Sequence, residues 1–230
     1  MREIILDTET TGLDPGAGDR IVEIGCVEIL NKISTGKTFH VYLNPERDMP
    51  AEAFRVHGLS ARFLSDKPLF RAVMHDFLAF LGDARLVIHN AEFDMRFLNA
   101  ELLREKQEIL TMGRVTDTLS LARRKHPGAP ASLDALCARY RIDRTRRVKH
   151  GALLDAEILA EVYVELSGGK QTALQLVTQK KERLTVVRSQ PARRAELLPR
   201  LFREHASRHA DFVAALGIRA VWQVYPKKPQ

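Results

Sequence analysis

Two acidic residues follow a short apolar run near the start of the chain, in the sequence Asp7-Thr8-Glu9. The run predicts a buried strand that stops on these residues, and side chains two positions apart on a strand point to the same side of the sheet. Two carboxylates held side by side repel each other unless a proton or a hard cation lies between them. The pair therefore predicts a site for Mg²⁺ or Mn²⁺, which prefer oxygen ligands. A solvated turn is the alternative interpretation of so short a sequence.

A third carboxylate, Asp94, ends the sequence HNAEFD. The apolar residues 86–88 before it predict another buried strand, and Asn90 is predicted as the N-cap of the helix that follows. Asp94 then lies in the first turn of that helix, near the strand end. Phe93 and Phe97 are four residues apart and are expected to anchor the helix to the sheet. The alternative is an acid that only complements the helix dipole.

A fourth carboxylate, Asp155, ends the sequence HGALLD at the start of a strongly periodic helix. Asp155 falls on the same stripe as Leu159 and Val162, so a charged group occurs on a face that is otherwise apolar. A buried acid requires a partner. His150 lies five residues upstream, and the glycine after it lets the backbone turn so that the imidazole reaches the same site. A surface histidine at a helix start is the alternative.

Taken together, these acids and the histidine are predicted at the ends of elements that meet at one edge of a sheet. The sequences DTETTG, HNAEFD and HGALLD, in this order, resemble the three exonuclease motifs of the DEDD superfamily, histidine subclass. Residues 132–169 are similar to the epsilon family, the proofreading subunits of bacterial DNA polymerase III. The resemblance extends over roughly the first three quarters of the chain. It implies a ribonuclease H-like fold and a 3′–5′ exonuclease that hydrolyses mispaired 3′ ends of DNA.

The resemblance also implies how these residues act on two divalent cations, Mg²⁺ or Mn²⁺. Asp7 would bridge the two cations, and Glu9 and Asp155 would complete the site of the cation that binds the attacking water. Asp94 would hold the second cation through water. His150 would be the proton acceptor, a role that suits histidine because this residue type ordinarily titrates near neutral pH.

Substrate contacts are likewise implied by the resemblance. Glu52 would lie near the terminal 3′ hydroxyl and His57 near the terminal nucleotide, while Thr10, Gly12 and Leu13 would meet the last base. The full set of implied substrate-binding residues is Asp7, Glu9, Glu52, His57 and Asp155. From the residues alone, a capped surface helix accounts for Glu52 and His57 nearly as well.

The composition fits one sizeable domain with a remainder of different character. The 230 residues are 45% hydrophobic, which is enough to bury a single core. The only cysteines, Cys26 and Cys137, lie in apolar segments without metal-ligand spacing, so we expect reduced core residues of a cytosolic protein. The resemblance further implies a bacterial, nucleoid-associated protein of the cytoplasm. Neither a signal peptide nor an apolar stretch long enough to cross a bilayer is visible, so no membrane association is expected.

The net charge of +7 is concentrated in the C-terminal tail. Residues 178–230 carry 12 Lys or Arg against 4 Asp or Glu, whereas residues 1–177 carry 24 against 25. In the first part, basic residues crowd the segment before His150: Arg139, Arg141, Arg144, Arg146, Arg147 and Lys149. A basic loop beside an acidic cation site suits a phosphodiester chain, which must be held while one phosphate meets the cations. A solvated charged loop is the alternative.

Hydrophobic periodicity and turn residues predict the elements that position these motifs. Strands are predicted at 4–6, 20–30, 37–43 and 86–88, and helices at 51–57, 69–81, 91–106, 118–125, 133–140 and 152–166. A meander followed by alternating helices and strands predicts an α/β fold with a mixed sheet. The resemblance specifies a ribonuclease H-like mixed five-stranded sheet with helices on both faces, plus an extended or helical C-terminal tail.

Three regions are predicted along the chain: a 3′–5′ exonuclease domain at 1–169, a linker at 170–190 and a polymerase-binding tail at 191–230. In the linker, Gln171, Leu174 and Leu176 resemble the short peptide with which bacterial replication proteins bind the sliding clamp. An ordinary apolar helix start is the alternative for so short a motif.

The tail has an amphipathic spacing over 192–216 and two aromatic residues, Trp222 and Tyr225, that it cannot bury alone. Such a surface predicts a partner, and the resemblance makes that partner the alpha subunit of DNA polymerase III. A small accessory subunit is a further partner implied by the family. The basic character of the tail leaves direct DNA contact as the alternative.

Two other functions remain open on the sequence. One is an RNA-trimming 3′–5′ exoribonuclease of the same superfamily, which would not be expected to carry a clamp peptide and a partner-binding tail. The other is a non-catalytic adaptor between polymerase and clamp, which would not require four converging carboxylates. Both are distinguished from a DNA exonuclease by assays with DNA and short RNA substrates.

Overall fold

The fold is described from a computed structural model, which describes residues 1–145, 149–168 and 203–217. The chain divides into two compact units, residues 1–176 and 177–230. Several predictions concern residues outside the described ranges: the basic residues Arg146 and Arg147, the clamp peptide with Gln171, Leu174 and Leu176, and the tail aromatics Trp222 and Tyr225. None of the described helices has the length and apolar character that spanning a membrane requires.

The first unit is built on a mixed five-stranded sheet. Its strands are β1 (Arg2–Thr10), β2 (Ile21–Leu30), β3 (Ile33–Tyr42), β4 (Arg85–Ile88) and β5 (Val115–Asp117). The strand order is β3-β2-β1-β4-β5, with β1, β2 and β3 antiparallel and with β4 parallel to both β1 and β5. The predicted meander and the predicted mixed five-stranded sheet are both confirmed.

Among the described residues, seven α-helices accompany the sheet in the first unit and one lies in the second. They are α1 (Ala51–His57), α2 (Ala61–Leu64), α3 (Phe70–Leu81), α4 (Ala91–Arg104), α5 (Thr118–Lys125), α6 (Leu133–Tyr140), α7 (Ala152–Leu166) and α8 (Arg203–Ala215). The six predicted helices are present within two residues of their expected ends. Helix α8 falls within the predicted amphipathic stretch and buries no residue in the described structure.

Two predicted strand bounds are wrong, and two short elements were not predicted. Strand β1 continues through the acidic pair to Thr10, because β2 pairs with it over its whole length. Strand β3 begins at Ile33 instead of Lys37, because Ile29 and Leu30 of β2 pair with its first residues. Strand β5 and helix α2 escaped prediction because three and four residues are too short to show a hydrophobic period.

Alternate residues of β1 enter two different cores, and this places helices on both faces of the sheet. Ile4 and Leu6 pack with residues of α3 and α4, including Phe77. Ile5, which points the opposite way, packs with Leu159 and other residues of α7. The α7 face and the α4 face of the sheet are named from these two contacts. The cysteines Cys26 and Cys137 are buried, and no disulfide joins them.

The pairing of β1 with β4 is short and leaves one end of β1 open. Only residues 3–5 of β1 pair with residues 85–87 of β4, whereas β1 runs on to Thr10 beside β2. Beyond residue 88 the chain turns away from the sheet and begins α4. The acidic half of β1 therefore borders a gap into which side chains from both faces of the sheet can reach.

Candidate active site

The predicted catalytic residues line a single cleft at this open end of β1. The five are Asp7, Glu9, Asp94, His150 and Asp155. Asp7 lies opposite Gly25 of β2 and is half-buried, while Glu9 lies opposite Glu23 and is buried. Because they are two residues apart on one strand, both acids belong to the α7 face.

Asp155 and His150 reach the cleft from the start of α7. Asp155 is 3% exposed, and its first-turn position follows from the helix beginning at Ala152. The Nδ1 atom of His150 lies 3.2 Å from Oδ2 of Asp155. Three potential ligand atoms lie within 4.8 Å of one another, one each from Glu9, His150 and Asp155. His150 therefore lies beside both Asp155 and Glu9.

Asp94 reaches the cleft from the opposite face of the sheet. It lies in the first turn of α4 and is 3% exposed. Its Oδ1 accepts a hydrogen bond of 2.7 Å from the hydroxyl of Thr8, the residue that lies between the two β1 acids and points to the α4 face. The rings of Phe93 and Phe97 lie 5.0 Å apart and pack into the same core. The cleft thus gathers carboxylates from both faces of the sheet.

The predicted capping role of Asn90 needs correction. Asn90 occupies the N-cap position of α4, but its backbone is left-handed with φ of 62° and its side chain makes no capping hydrogen bond. Instead, Oδ1 of Asp117 accepts hydrogen bonds from the backbone N–H groups of Asn90 and Ala91, at 3.0 and 3.4 Å. The same carboxylate caps α5 through Leu119. Asp117 therefore ties the starts of two helices together and holds the turn that delivers Asp94.

Sequence reasoning missed Asp117 as a residue that supports the site. An aspartate two residues before the first possible capping N–H was a visible signal for the start of α5. Nothing in the sequence showed that it also serves α4, because the two helices are brought together by the parallel pairing of β4 with β5.

Close packing of the acids perturbs their protonation. Removal from water, followed by the negative charges of Asp94, Glu9 and Asp155, raises the pKa of the Asp7 carboxyl well above its usual range. Burial raises the pKa of Asp94 to about 7, although the hydrogen bond from Thr8 works in the other direction. Such a cluster favours either a bound proton or a bound cation over free negative charge.

We expect the stability of the metal-free protein to fall as the pH rises. The pKa of Asp94 is about 7 in the folded protein and about 4 in an unfolded chain. Between these values the folded state binds more protons, so the free energy of unfolding decreases with increasing pH, by at most about 4 kcal/mol. Unfolding temperatures at pH 5 and pH 8, with chelator and with added Mn²⁺, measure this effect.

Asp94→Asn should show a weaker dependence of the unfolding temperature on pH than the parent. In the parent, added Mn²⁺ should restore at pH 8 the unfolding temperature that is lost with chelator. The exposed neighbour Glu92 provides the control, because Glu92→Gln should leave the slope unchanged. Equal slopes in the parent and in Asp94→Asn would contradict the assignment of a raised pKa to Asp94.

A second cleft adjoins the acids and contains three of the five predicted substrate-binding residues, while Asp7 and Asp155 line the first cleft. The lining of the second cleft includes Glu9, Thr10, Gly12, Leu13, Glu52 and His57. Glu52 is exposed, and its carboxylate lies 3.8 Å from the guanidinium of Arg55. His57 is buried, its Nδ1 accepts a hydrogen bond of 3.0 Å from the backbone N–H of Leu59, and its Nε2 has no hydrogen-bond partner within the described residues.

The protonation of His57 follows from its surroundings. Burial lowers the pKa of the His57 imidazole below its usual value, so the ring is neutral at pH 7. Because Nδ1 accepts a hydrogen bond from the backbone N–H of Leu59, the ring proton lies on Nε2. The ring lies next to the backbone of Thr10 and lines the second cleft, so its N–H group is a donor available to a ligand there.

The basic segment before α7 is described in part. Arg144 pairs with Asp134, which lines the catalytic cleft, at 2.9 Å. The ammonium group of Lys149 lies 5.2 Å from the centre of the Phe54 ring in α1. The backbone N–H of His150 donates to the carbonyl of Val56 at 3.3 Å. The segment that carries His150 is therefore attached to α1, the helix that lines the second cleft.

Comparisons with known proteins agree with the motif resemblance. A family model described as exonuclease matches residues 4–163. The DNA polymerase III subunit epsilon of Rickettsia felis is 48% identical over 222 residues, which cover 94% of this chain and 97% of that protein. The subunit epsilon of Escherichia coli strain K12 is 52% identical over 176 residues, which cover 74% of this chain and 72% of that protein.

Solved structures resemble this fold as well. Exonuclease X in complex with 5′ overhanging duplex DNA has a TM-score of 0.56 and 27% identity, covering 71% of this chain and 90% of that chain. The nuclease domain of 3′hExo, a DEDDh family member bound to rAMP, has a TM-score of 0.63 and 18% identity, covering 72% of this chain and 91% of that chain. At this identity the second likeness concerns the fold alone.

Proposed function

This chain belongs to the exonuclease family and, within it, to the epsilon subunits of bacterial DNA polymerase III, and we propose that the cleft of four acids is its catalytic centre. The protein is a 3′–5′ exonuclease that proofreads for the replicative polymerase by removing nucleotides from mispaired 3′ ends of DNA. One observation carries the assignment of the centre. Four carboxylates and His150 line the same cleft, although they come from three elements on two faces of the sheet.

The donor set of the cleft fits divalent cations. Carboxylate oxygens predominate, and burial raises the pKa values of Asp7 and Asp94, with neighbouring negative charges adding to the effect at Asp7. The family implies divalent metal ions, and we assign Mg²⁺ or Mn²⁺ because both accept oxygen ligands. Asp7, Glu9 and Asp155 would hold one cation, with Asp7 shared between two, and Asp94 would hold the second through water.

The chain's own residues then orient and deprotonate the attacking water. When bound, the two cations lower the pKa of water and neutralise the charge that develops on the phosphate. His150 is the proton acceptor. Its Nδ1 lies 3.2 Å from Asp155, so a hydrogen bond there keeps the proton on Nδ1 and leaves the lone pair on Nε2 to receive the proton of the water. Asp155 would therefore both bind a cation and orient the imidazole ring of His150.

The second cleft is the proposed site of the terminal nucleotide. His57 supports this role because it is a buried, neutral donor that lines the cleft beside Glu9. Glu52 lies at the exposed end of the same cleft, where it can accept a hydrogen bond from the 3′ hydroxyl. Thr10, Gly12 and Leu13 supply backbone and a small apolar surface for the last base.

We expect His57→Ala to weaken substrate binding more than it slows chemistry. Loss of one hydrogen bond to the substrate should raise KM by about 5-fold, since such a bond contributes about 1 kcal/mol, with a smaller change in kcat. Steady-state kinetics on a single-stranded DNA with a labelled 3′ end measure both constants. His75→Ala, at an exposed position of α3, is the control, and an unchanged KM in His57→Ala would remove His57 from the substrate site.

Partners and regions are proposed from the family. DNA and polymerase association follow from the relatives, and the alpha subunit, the sliding clamp and a small accessory subunit are the specific partners we propose. We retain the predicted organisation, with the exonuclease domain at 1–169, the clamp-binding linker at 170–190 and the polymerase-binding tail at 191–230. A subunit that proofreads at the chromosome acts in the bacterial cytoplasm.

The decisive experiment follows the degradation of a primer with a mismatched 3′ end. Mononucleotides should be released faster from the mismatched than from the matched primer, and chelator should stop the release. A short RNA tested in parallel should be degraded more slowly than the DNA, and a faster reaction on RNA would favour the exoribonuclease alternative. A pull-down with polymerase alpha subunit and clamp, in the parent and in Gln171→Ala, tests the proposed partners.

A further inference from the structure

The start of α7 lies unusually close to the sheet, at Gly25 of β2. A Cβ atom at position 25 would lie 2.2 Å from the backbone nitrogen of Leu153, and 2.3 and 2.5 Å from the carbonyl carbon and oxygen of Ala152. Ordinary contacts of a Cβ atom begin at 3.4 Å. The atoms in question are backbone, so no rotation of a side chain can relieve the overlap. Only glycine fits at position 25 with α7 in this place.

Side chains of α7 are small where the helix lies close to the sheet and larger where the two are farther apart. Ala152 and Ala156, near the start of the helix, are fully buried, and small side chains allow a close approach to the sheet. Further along, Leu159 and Tyr163 fill a wider space against the apolar residues of β1 and β2. The helix therefore approaches the sheet most closely at its first turn, which is the turn that carries Asp155.

The close contact lies directly beside the acids. Gly25 pairs with Asp7 in the β1–β2 register, and Asp155 follows the contacting residue Ala152 by three positions, which is about one helical turn. The height of α7 above Gly25 thus sets how far the Asp155 carboxylate lies from Asp7 and Glu9. Sequence reasoning did not identify Gly25, which lies within an apolar strand and has no chemistry of its own.

We infer that Gly25 is a positioning residue of the cation site: the absence of its side chain lets the first turn of α7 bring Asp155 within ligand distance of the β1 acids. The inference rests on the proposed function, because it assumes that Asp7, Glu9 and Asp155 share cations. A methyl group at position 25 must displace the helix start by about 1 Å to restore ordinary contacts, and misplacement by 1 Å can cost about 100-fold in rate.

The experiment compares Gly25→Ala with two controls in the full-length protein. Mn²⁺ affinity of the metal-free protein is measured by titration, kcat and KM at saturating Mn²⁺ by nucleotide release from single-stranded DNA, and the unfolding temperature with chelator. Gly25→Ala should lower Mn²⁺ affinity by about 10-fold or more and kcat by about 100-fold. KM should change little, because the second cleft is built by α1 and by the β1 end.

The controls separate positioning from general damage. Val27→Ala removes packing between the same strand and the same helix, two residues further along β2 on the α7 face, and should lower the unfolding temperature while Mn²⁺ affinity stays near the parental value. Gly113→Ala, where the added Cβ would meet no atom within 4 Å, should change none of the measured quantities. A Gly25→Ala protein with parental Mn²⁺ affinity and kcat would overturn the inference. Decreases in Mn²⁺ affinity and kcat no larger than those of Val27→Ala would overturn it as well.

A second variant covers the case in which Gly25→Ala does not fold. Ala152→Val enlarges a fully buried side chain in the same helix turn and should produce the same pattern with a smaller amplitude. Parental affinity and kcat in Ala152→Val would then overturn the inference. The parent reports on the proposed function independently, because an inactive parent in Mn²⁺ would refute the catalytic centre itself, whereas an active parent with tolerant variants would refute only the role of Gly25.

Discussion

Asp7→Asn should reduce exonuclease activity by about 1,000-fold or more while making the metal-free protein more stable. The activity falls because Asp7 is the proposed bridge between the two cations, and loss of metal-assisted charge stabilisation costs several kcal/mol in the transition state. The stability rises because removal from water and four neighbouring carboxylates raise the pKa of Asp7, so that at pH 8 the charged form is disfavoured in the fold. Nucleotide release and thermal unfolding with chelator measure the two effects.

The opposite directions of the two effects make this prediction specific. A variant that simply unfolds would lose activity and stability together. Asp155→Asn should lose activity as Asp7→Asn does, because Asp155 is buried in the same cleft. Glu161→Gln, at an exposed position of α7, should leave activity and stability close to the parent. Full activity in Asp7→Asn or in Asp155→Asn would refute the assignment of the cation ligands.

His150→Gln should slow hydrolysis by about 100-fold to 10,000-fold, the usual contribution of a general acid or base, while Mn²⁺ affinity is retained. Glutamine preserves much of the side-chain volume and can donate to Asp155, but it cannot take a proton from water. Single-turnover hydrolysis across neutral pH measures the rate, and a direct titration measures Mn²⁺ binding.

The result also decides between two roles for His150. Its nitrogen lies close enough to Glu9 and Asp155 to be a third cation ligand, and in that role His150→Gln would lower Mn²⁺ affinity in parallel with the rate. Retained affinity with a slow rate identifies a base. A parental rate across neutral pH would rule out both roles. His75→Gln, on the exposed side of α3, controls for the substitution itself.

Several features of the site were predictable because their causes are local. A helix start, an apolar period and a first-turn acid are set by residues within about one helical turn of each other. Asp94 and Asp155 therefore lie in the first turns of α4 and α7 as expected. The three short motifs, taken in their order along the chain, were sufficient to identify the family, and the family in turn implied the fold and the activity.

Other features depended on which elements become neighbours. The length of β1 follows from its pairing with β2, and the gap beside its acidic half follows from the early end of β4. Asp117 supports α4 only because β5 lies next to β4. Gly25 matters only because α7 crosses the sheet at that residue. None of these relations leaves a periodic signal in the sequence.

By itself, the sequence determined the residue types that can hold cations and move a proton, and the local elements that carry them. The tertiary structure alone decided that Asp94 from one face of the sheet and Asp155 and His150 from the other enter the same cleft. The physical reason is that convergence depends on strand register and on the distance between helix and sheet. Both are set by packing between residues far apart in the chain, whereas capping and periodicity act between close neighbours.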